Sequence, residues 1–520
     1  MNNPLGVAYD QANKVLFVGD YNSNRILSYS FTANSANNGP NANNALGQYS
    51  DETSTLAPAY TKSIAGNVPN RLGLNSTLAG MVMDSVGHRL FVADSANNRV
   101  LIHNLNTSNQ LIDYIPDNVL GQSSFVTKDA ATTQTGMTFP NGLAYDSANT
   151  RLFVADSNNT RILVFNVSSI VNGQAAANVL GQASFTTNTN ATTATGLSGP
   201  YDLVYDSANQ RLFVADYTNN RVLIYGLSGG ITNGMAASNV LGQANFTSSV
   251  LATSSTGMMT PYGLAYDATN QRLFVSEISN YRVLVFDVNS ITNGEAAVNV
   301  LGQMDFVTNT VATTQSKFGN NRGLAYDNIN NRLYVADQSN NRVLGFNVSS
   351  ITNGQNAANV LGQSSFTTLT ATTSQGGLKG PLRIFFDSTN QRLFVGDAGN
   401  SRITVYDVVP DTSAPTITNI TSTTANGSYA IGASVNMTFT LSENVTVAVA
   451  TTVTLETGTT DHTCTIATTT TPTTSLTCTY TVQAGDISSD LSVNSVAGVN
   501  ILDGSSNLLQ GDGTGLFLTV

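Results

Sequence analysis

RLFVADSNNTRILVF, residues 151–165, is one of seven close copies along this chain. Ahead of each copy stands a short apolar run closed by an acid. Those acids are Asp10, Asp84, Asp146, Asp206, Asp267, Asp327 and Asp387, so a unit of about sixty residues repeats between positions 4 and 408. Within a unit, a run such as GLAYD is followed by a turn, then RLFVAD, a second turn and RILVF. The first six units end on ALGQ or NVLGQ, which gives four strands per unit. Leu152, Phe153 and Val154 are apolar in succession, as expected of a strand covered on both faces. Four-stranded sheets set radially around an axis are the blades of a propeller.

Both turns have a chemical signature. Three residues after the first acid stands Asn149, Asn209, Asn270, Asn330 or Asn390, with Gly87 in unit two. Asn and Gly share tolerance of a positive φ, so this position is expected to be the left-handed residue of a tight hairpin. The second turn carries an acid and, five residues on, an arginine. The pairs are Asp20/Arg25, Asp94/Arg99, Asp156/Arg161, Asp216/Arg221, Glu277/Arg282, Asp337/Arg342 and Asp397/Arg402. In six units an Asn lies between acid and arginine, as at Asn159, and unit one has Ser23. An acid and an arginine flanking a hairpin turn are placed to pair, with the Asn bonding local backbone.

The VAD-x-x-N-x-R-(V/I)-L pattern and the preceding P-x-G-L-A-x-D resemble the NHL-repeat family of β-propellers over residues 4–408. The resemblance implies that GLAYD is the innermost strand, lining a central channel. It also implies that the loop entering that strand and the acid–arginine turn share one face. The long Thr/Asn/Ser-rich stretches after LGQ would crown that face.

A group present in every blade is read as a structural device. Function is sought where the copies differ. The Gly of P-x-G is replaced at Asp202 and at Arg383. With Asn141, Tyr201, Tyr262 and Arg322 these form a candidate site at the channel mouth for a polar or acidic ligand, since Arg suits carboxylate recognition. Drift at exposed loop ends is the competing account.

Enzymes among related propellers, the amidating lyase and lactonase-type members, place metal ligands in the channel. Here His88 falls in a hairpin turn, His103 in an outer strand and His462 outside the propeller, so the histidines do not converge on a metal. No catalytic residue and no Ser-His-Asp set is assigned, and no cofactor is expected, although Asp and Asn oxygens leave room for calcium.

Lys and Arg total 21 against 32 Asp and Glu, a net charge of −11, which argues against a nucleic-acid partner. Only 10% of residues are charged, a composition of secreted and surface proteins. No apolar run reaches the roughly 18 residues of a membrane span. No signal peptide is visible, and the repeat begins almost at Met1. Unit seven lacks an NVLGQ segment, so an LGQ-like strand and a secretion signal are expected upstream in the gene. With Met1 as the start, blade seven is expected to have three strands.

After Val408 the composition shifts. Residues 409–415 read as a linker, and no Lys or Arg follows Arg402. SVNMTFTLSENVTVAV and SLTCTYTVQ alternate as strands. They resemble the Ig-like or cadherin-like modules of bacterial surface proteins and adhesins, implying a β-sandwich over 416–520. Cys464 and Cys478 are expected to face each other across a hairpin as a disulfide, with free thiols the alternative. Glu443, Asp486, Asp490, Asp503 and Asp512 offer oxygen donors for calcium, or are simply solvated.

The sequence thus predicts an all-β chain, a seven-bladed propeller over 1–408 followed by an Ig-like sandwich. The expected role is a monomeric, extracellular or cell-surface binding scaffold for a protein, glycan or cell-wall partner, and more a binder than an enzyme. The alternatives are a metal-dependent lyase or lactonase acting at the channel mouth, or a purely structural module.

Overall fold

The computed structural model describes residues 1–31, 39–48, 60, 70–75, 80–409, 413–425, 427–488, 491–497, 500–503 and 507–510. The chain divides into two compact units, Met1–Val408 and Val409–Val520. Residues 410–412 of the expected linker lie outside the described residues.

Among the described residues the first unit holds seven antiparallel sheets, six of four strands and one of three. The third blade shows the pattern. Its strands run Pro140–Asp146, Arg151–Asp156, Arg161–Asn166 and Asn178–Leu180, hydrogen-bonded in chain order. Leu152, Phe153 and Val154 are fully buried between neighbouring blades, each worth roughly 1.5–3 kcal/mol of apolar burial. The innermost strands are Pro4–Asp10, Met81–Asp84, Pro140–Asp146, Pro200–Asp206, Pro261–Asp267, Asn321–Asp327 and Pro381–Asp387. Each lies against its two neighbours, and Pro4–Asp10 lies against Pro381–Asp387, which closes the ring. Among the described residues the seventh blade has three strands, Pro381–Asp387, Arg392–Asp397 and Arg402–Asp407.

The second turn of the third blade is a one-turn 3-10 segment held from inside by charge. Asp156 accepts from Arg161 Nε at 2.7 Å, from Asn159 Nδ2 at 2.9 Å and from the Thr138 N–H at 2.6 Å. Arg161 then donates to the carbonyls of Thr133, Gly136 and Phe185. One buried guanidinium therefore ties its own turn to the long insert before it and to the loop after it.

The expected acid–arginine pair forms in the other six blades as well. Arg25 bonds Asp20, Arg99 bonds Asp94, Arg221 bonds Asp216, Arg282 bonds Glu277, Arg342 bonds Asp337 and Arg402 bonds Asp397. The arginines do more than pair across the turn, and reach well beyond it. Arg99 donates to the Asn70, Gly73 and Phe125 carbonyls, Arg221 to those of Thr193, Gly196 and Phe246, and Arg282 to those of Ser254, Gly257 and Phe306. Arg25, partly exposed in the first blade, reaches the Tyr60 carbonyl. A guanidinium carries five donors, and one carboxylate oxygen cannot occupy them all inside a protein. The Asn was expected to bond local backbone. Its Nδ2 instead bonds the acid and, in five blades, a carbonyl 28 residues earlier, as Asn159 does to Ala131 and Asn280 to Ala252.

The first turn corrects another expectation. The left-handed residue is not the Asn or Gly three after the acid but the next one: His88, Thr150, Gln210, Gln271, Asn331 and Gln391, with φ between 48° and 53°. The Asn is spent on the acid instead. Asn149 donates both its backbone N–H and its Nδ2 to Asp146, and this fixes it in a right-handed turn. The first turn also repeats the charged device of the second, with Asp84–Arg89, Asp146–Arg151, Asp206–Arg211 and Asp267–Arg272 in contact. Arg89, Arg211 and Arg272 reach on to the carbonyls of Val167, Val288 and Val348 in the following blade.

The second unit has two sheets over one core. One contains Ile417–Ser422, Ser434–Val447, Thr469–Thr481 and Ile501–Asp503, the other Thr451–Glu456, His462–Ile466 and Ser492–Val496. Met437, Phe439, Val453, Leu455 and Ile466 fill the space between them, which makes the unit a β-sandwich. Cys464 and Cys478 are disulfide-bonded. Their strands belong to different sheets, so the bond staples the two layers and does not cross a hydrogen-bonded hairpin.

Candidate binding site at the channel mouth

The innermost strands enter the ring through a bulge. In the fourth blade the pairing jumps from Pro200↔Asp216 to Leu203↔Val214, leaving Tyr201 and Asp202 out of register. The fifth, sixth and seventh blades are bulged at the same place, which releases Tyr262, Arg322 and Arg383 from the ladder. The usual residue at the second bulged position is Gly, for a reason of space. A Cβ on Gly263 would lie 2.7 Å from the Arg322 carbonyl oxygen of the next blade. Asp202 has a side chain at this position and turns the contact into a bond, accepting from the Leu264 N–H at 3.0 Å.

Five of the six residues singled out at the mouth come together. Arg383 Nη1 lies 3.7 Å from Asp202 Oδ2, each side chain less than a fifth exposed. The Arg383 guanidinium carbon stands 5.9 Å from the Tyr201 ring centroid and 5.4 Å from that of Tyr262. Arg322 covers Tyr262 at 5.0 Å. The two tyrosine rings are 4.5 Å apart, and Tyr201 Oη donates to Tyr262 Oη at 2.9 Å. Asn141 stands apart: it is buried, makes no hydrogen bond to the other five, and its Oδ1 has no partner. Gln338 completes the site. Its Oε1 accepts from Arg322 Nε at 2.8 Å. Gln338 directly follows the acid of the second turn, a position filled by Ser95, Ser157, Tyr217, Ile278 and Ala398 in other blades. That variation was the signal that could have found it.

The cluster holds two guanidinium groups against one carboxylate, an excess of one positive charge. Burial works against the charge on Arg383, but Asp202 and the two tyrosines outweigh it and hold its pKa above the ordinary value. Burial, then Tyr262, pushes the Tyr201 hydroxyl up, so it stays a neutral proton donor. Arg383 Nε is buried with no hydrogen-bond partner. Directed N–H and O–H donors around a partly enclosed opening suit a small anion.

The donor set does not suit a divalent metal. Among the described residues no three His, Cys, Asp or Glu side chains gather where they could hold one. His88 sits in a first turn against Asn109, and His103 is buried in the third strand of its blade. In the second unit Asp486 is taken up by Tyr480, His462 and the Gln483 N–H, and Asp503 by Asn507. Asp490 and Asp512 lie outside the described residues. The second unit also bears an open hollow of about 450 Å³ beside Cys464 and Cys478, lined by threonines with no charged side chain. The mouth has the reactive groups and the hollow does not.

The family described as "Lactonase, 7-bladed beta-propeller" matches residues 121–429, more than half of the chain. The chain belongs to this lactonase family. Among curated proteins nothing matches. Among solved structures, this lactonase-family propeller is similar to the hydrazine synthase of Kuenenia stuttgartiensis at 11% identity, covering 78% of this chain and 96% of that one, with a TM-score of 0.48. It is also similar to the periplasmic gluconolactonase of Pseudomonas aeruginosa at 15% identity, covering 71% and 87%, with a TM-score of 0.45. No helix in the described residues of this lactonase-family chain is long and apolar enough to cross a membrane.

Proposed function

We propose that this chain opens the lactone of a small sugar acid at the channel mouth, without a metal. The observation that carries the reading is the Arg383–Asp202 contact flanked by the Tyr201–Tyr262 pair. In this reading Arg322 and Arg383 hold the substrate's polar and anionic groups. Asp202, the one carboxylate of the cluster, takes a proton from water as its oxygen bonds to the lactone carbonyl carbon. The charge gathering on the carbonyl oxygen is met by the Arg383 N–H groups and by the Tyr262 hydroxyl, whose own proton is left free by the bond it accepts from Tyr201. The ring C–O bond then breaks, and its alkoxide takes the proton held by Asp202. Membership in the lactonase family supports the reaction class. The test is hydrolysis of glucono-δ-lactone above its spontaneous rate, followed by proton release. Turnover that disappears in Asp202→Asn supports the proposal, and an intact chain that gives none contradicts it.

A second reading, the binding scaffold, has its own support. The inserts crowning the mouth expose Val126, Val250, Leu251, Val307, Val311 and Leu369, apolar side chains suited to a protein or glycan partner. We further propose an extracellular or cell-surface location, supported by the disulfide and the sparse charge. The NHL-like repeat and the Ig-like character of the sandwich fit such a setting.

A further inference from the structure

Among the described residues the third strand of the seventh blade is unpaired on its outer side, and the other six blades show what pairs there. In the third blade the third strand is paired on its outer side, Ile162↔Leu180, Leu163↔Val179 and Val164↔Asn178. The same Leu-Val-Asn register recurs in the second, fourth, fifth and sixth blades, and Leu-Ala-Asn in the first. The residue before that Asn donates its N–H to the third strand, as in Ala177 to the Val164 carbonyl at 2.7 Å and Ala358 to Gly345 at 2.8 Å. The Gln of LGQ then caps the second turn: Gln182 Nε2 donates to the Thr160 carbonyl at 3.1 Å. The phenylalanine carbonyl three residues on takes the turn arginine, as Phe185 takes Arg161 and Phe366 takes Arg342.

Among the described residues, none of these partners is present at Arg402–Asp407. Val405 is 42% exposed where its counterpart Val164 is 1% exposed. Arg402 is 30% exposed where Arg161 is fully buried, and its Nη1 turns to the Thr373 carbonyl instead. The outward N–H and C=O groups of Ile403 and Val405 form a template for one more antiparallel strand. All six Asn-x-Leu-Gly-Gln segments of the chain are already paired in their own blades.

We propose that the Arg402–Asp407 edge is a strand-acceptor site for a partner polypeptide carrying Ala-Asn-Val-Leu-Gly-Gln-x-x-Phe. Leu would lie opposite Ile403 and Asn opposite Val405, the Gln would cap Ser401, and the Phe carbonyl would receive Arg402. The site lies on the outer rim of the blade, and its occupation is independent of the lactone-opening proposal.

The test uses the full chain and a fluorescent ten-residue peptide with the sequence of residues 357–366, AANVLGQSSF. The expected result is saturable binding by anisotropy and a raised melting temperature for the propeller. A scrambled peptide, and one with Asp in place of the Leu, should bind at least about tenfold more weakly. Val405→Pro removes an outward N–H without touching the ladder to Arg392–Asp397 and should abolish binding. If that variant does not fold, the two peptide controls decide. Equal binding of the scrambled peptide, binding that survives Val405→Pro in a folded chain, no binding of AANVLGQSSF, or dimerisation of the chain through this edge would each overturn the proposal.

Discussion

Arg383 of the seventh blade reaches Asp202 of the fourth, with Nη1 and Oδ2 3.7 Å apart. Two blades lie between them one way around the ring and three the other, so the side chain lies across the channel mouth. The two residues are also the two places where P-x-G loses its glycine. If the pair organises the site, Arg383→Met should raise the KM for the lactone more than tenfold and also lower kcat, because its N–H groups meet both the bound substrate and the charge on the carbonyl oxygen, with the melting temperature little changed. Asp202→Asn should leave KM within a fewfold and cut kcat by a factor of about 10²–10⁴, the usual worth of a general base. Steady-state kinetics on the two variants separates the roles, and equal effects on kcat and KM in both would contradict them.

The turn arginines offer an internal control for buried charge. Arg161 is fully buried against Asp156, as are Arg99, Arg221 and Arg282 against their acids, whereas Arg402 makes the same contact while 30% exposed. Removing one partner of a buried pair strands the other, so Arg161→Met should cost about 3–5 kcal/mol. Arg402→Met should cost less than Arg161→Met, because the Arg402 guanidinium is already partly in water, although the buried Asp397 is stranded there too. Denaturant melts of the two variants measure the difference, and equal costs would show that burial is not what matters.

The two turns should respond to pH with opposite signs. Burial pushes the carboxyls of Asp94, Asp216 and Glu277 up, and that of Asp156 up to about 6. In the first turn burial also pushes upward, but bonds from Arg, Asn and backbone N–H groups outweigh it, and Asp84, Asp146, Asp206 and Asp267 end below the ordinary value of 3.8. A raised carboxyl holds its proton longer in the folded chain, so stability falls as pH rises from about 4 to about 6. A lowered carboxyl supplies stability that is present above its ordinary value and lost as pH falls below it. The propeller's melting temperature should therefore peak near pH 4 to 5. A melting curve across pH 2–8 checks this, and a peak above pH 7 would contradict it.

The disulfide should act on the second unit alone. Cys464 and Cys478 join the two sheets of the sandwich. Opening a loop of this length should cost that unit about 3 kcal/mol. Calorimetry with and without reductant should move the sandwich transition and leave the propeller transition in place.

Most of the architecture was legible because the repeat writes it seven times. Leu152–Val154, apolar without alternation, announces a strand covered on both sides, and the Asp156–Arg161 pair is visible as a spacing. The onward reach of Arg161, and of Arg25, Arg99, Arg221 and Arg282 beside it, was not, because a spacing says nothing of carbonyls brought in from 24 to 35 residues away. Asn149 misled because two uses of asparagine look alike in sequence: it tolerates a positive φ and it also bonds a nearby carboxylate. Here the second use won, and the next residue took the strained conformation. Tyr201, Asp202, Tyr262, Arg322 and Arg383 were legible as departures from the repeat, whereas Gln338 occupies a turn position that already varies between blades, which is a weaker signal. Asn141 shares the sequence position of Tyr201 but is buried, and its Oδ1 has no partner. The Cys464–Cys478 pairing was legible, but its path between sheets was not, because a short link between strands does not say whether they share a ladder.

Lactone opening by the cluster around Arg383 and Asp202 can be read directly. The most direct measurement is proton release from glucono-δ-lactone by the intact chain, by Asp202→Asn and by Arg383→Met, each against the spontaneous rate. The expected result is acceleration by the intact chain and a loss of at least about 100-fold in kcat/KM for either variant. No acceleration by the intact chain, or acceleration that both variants retain, would contradict it.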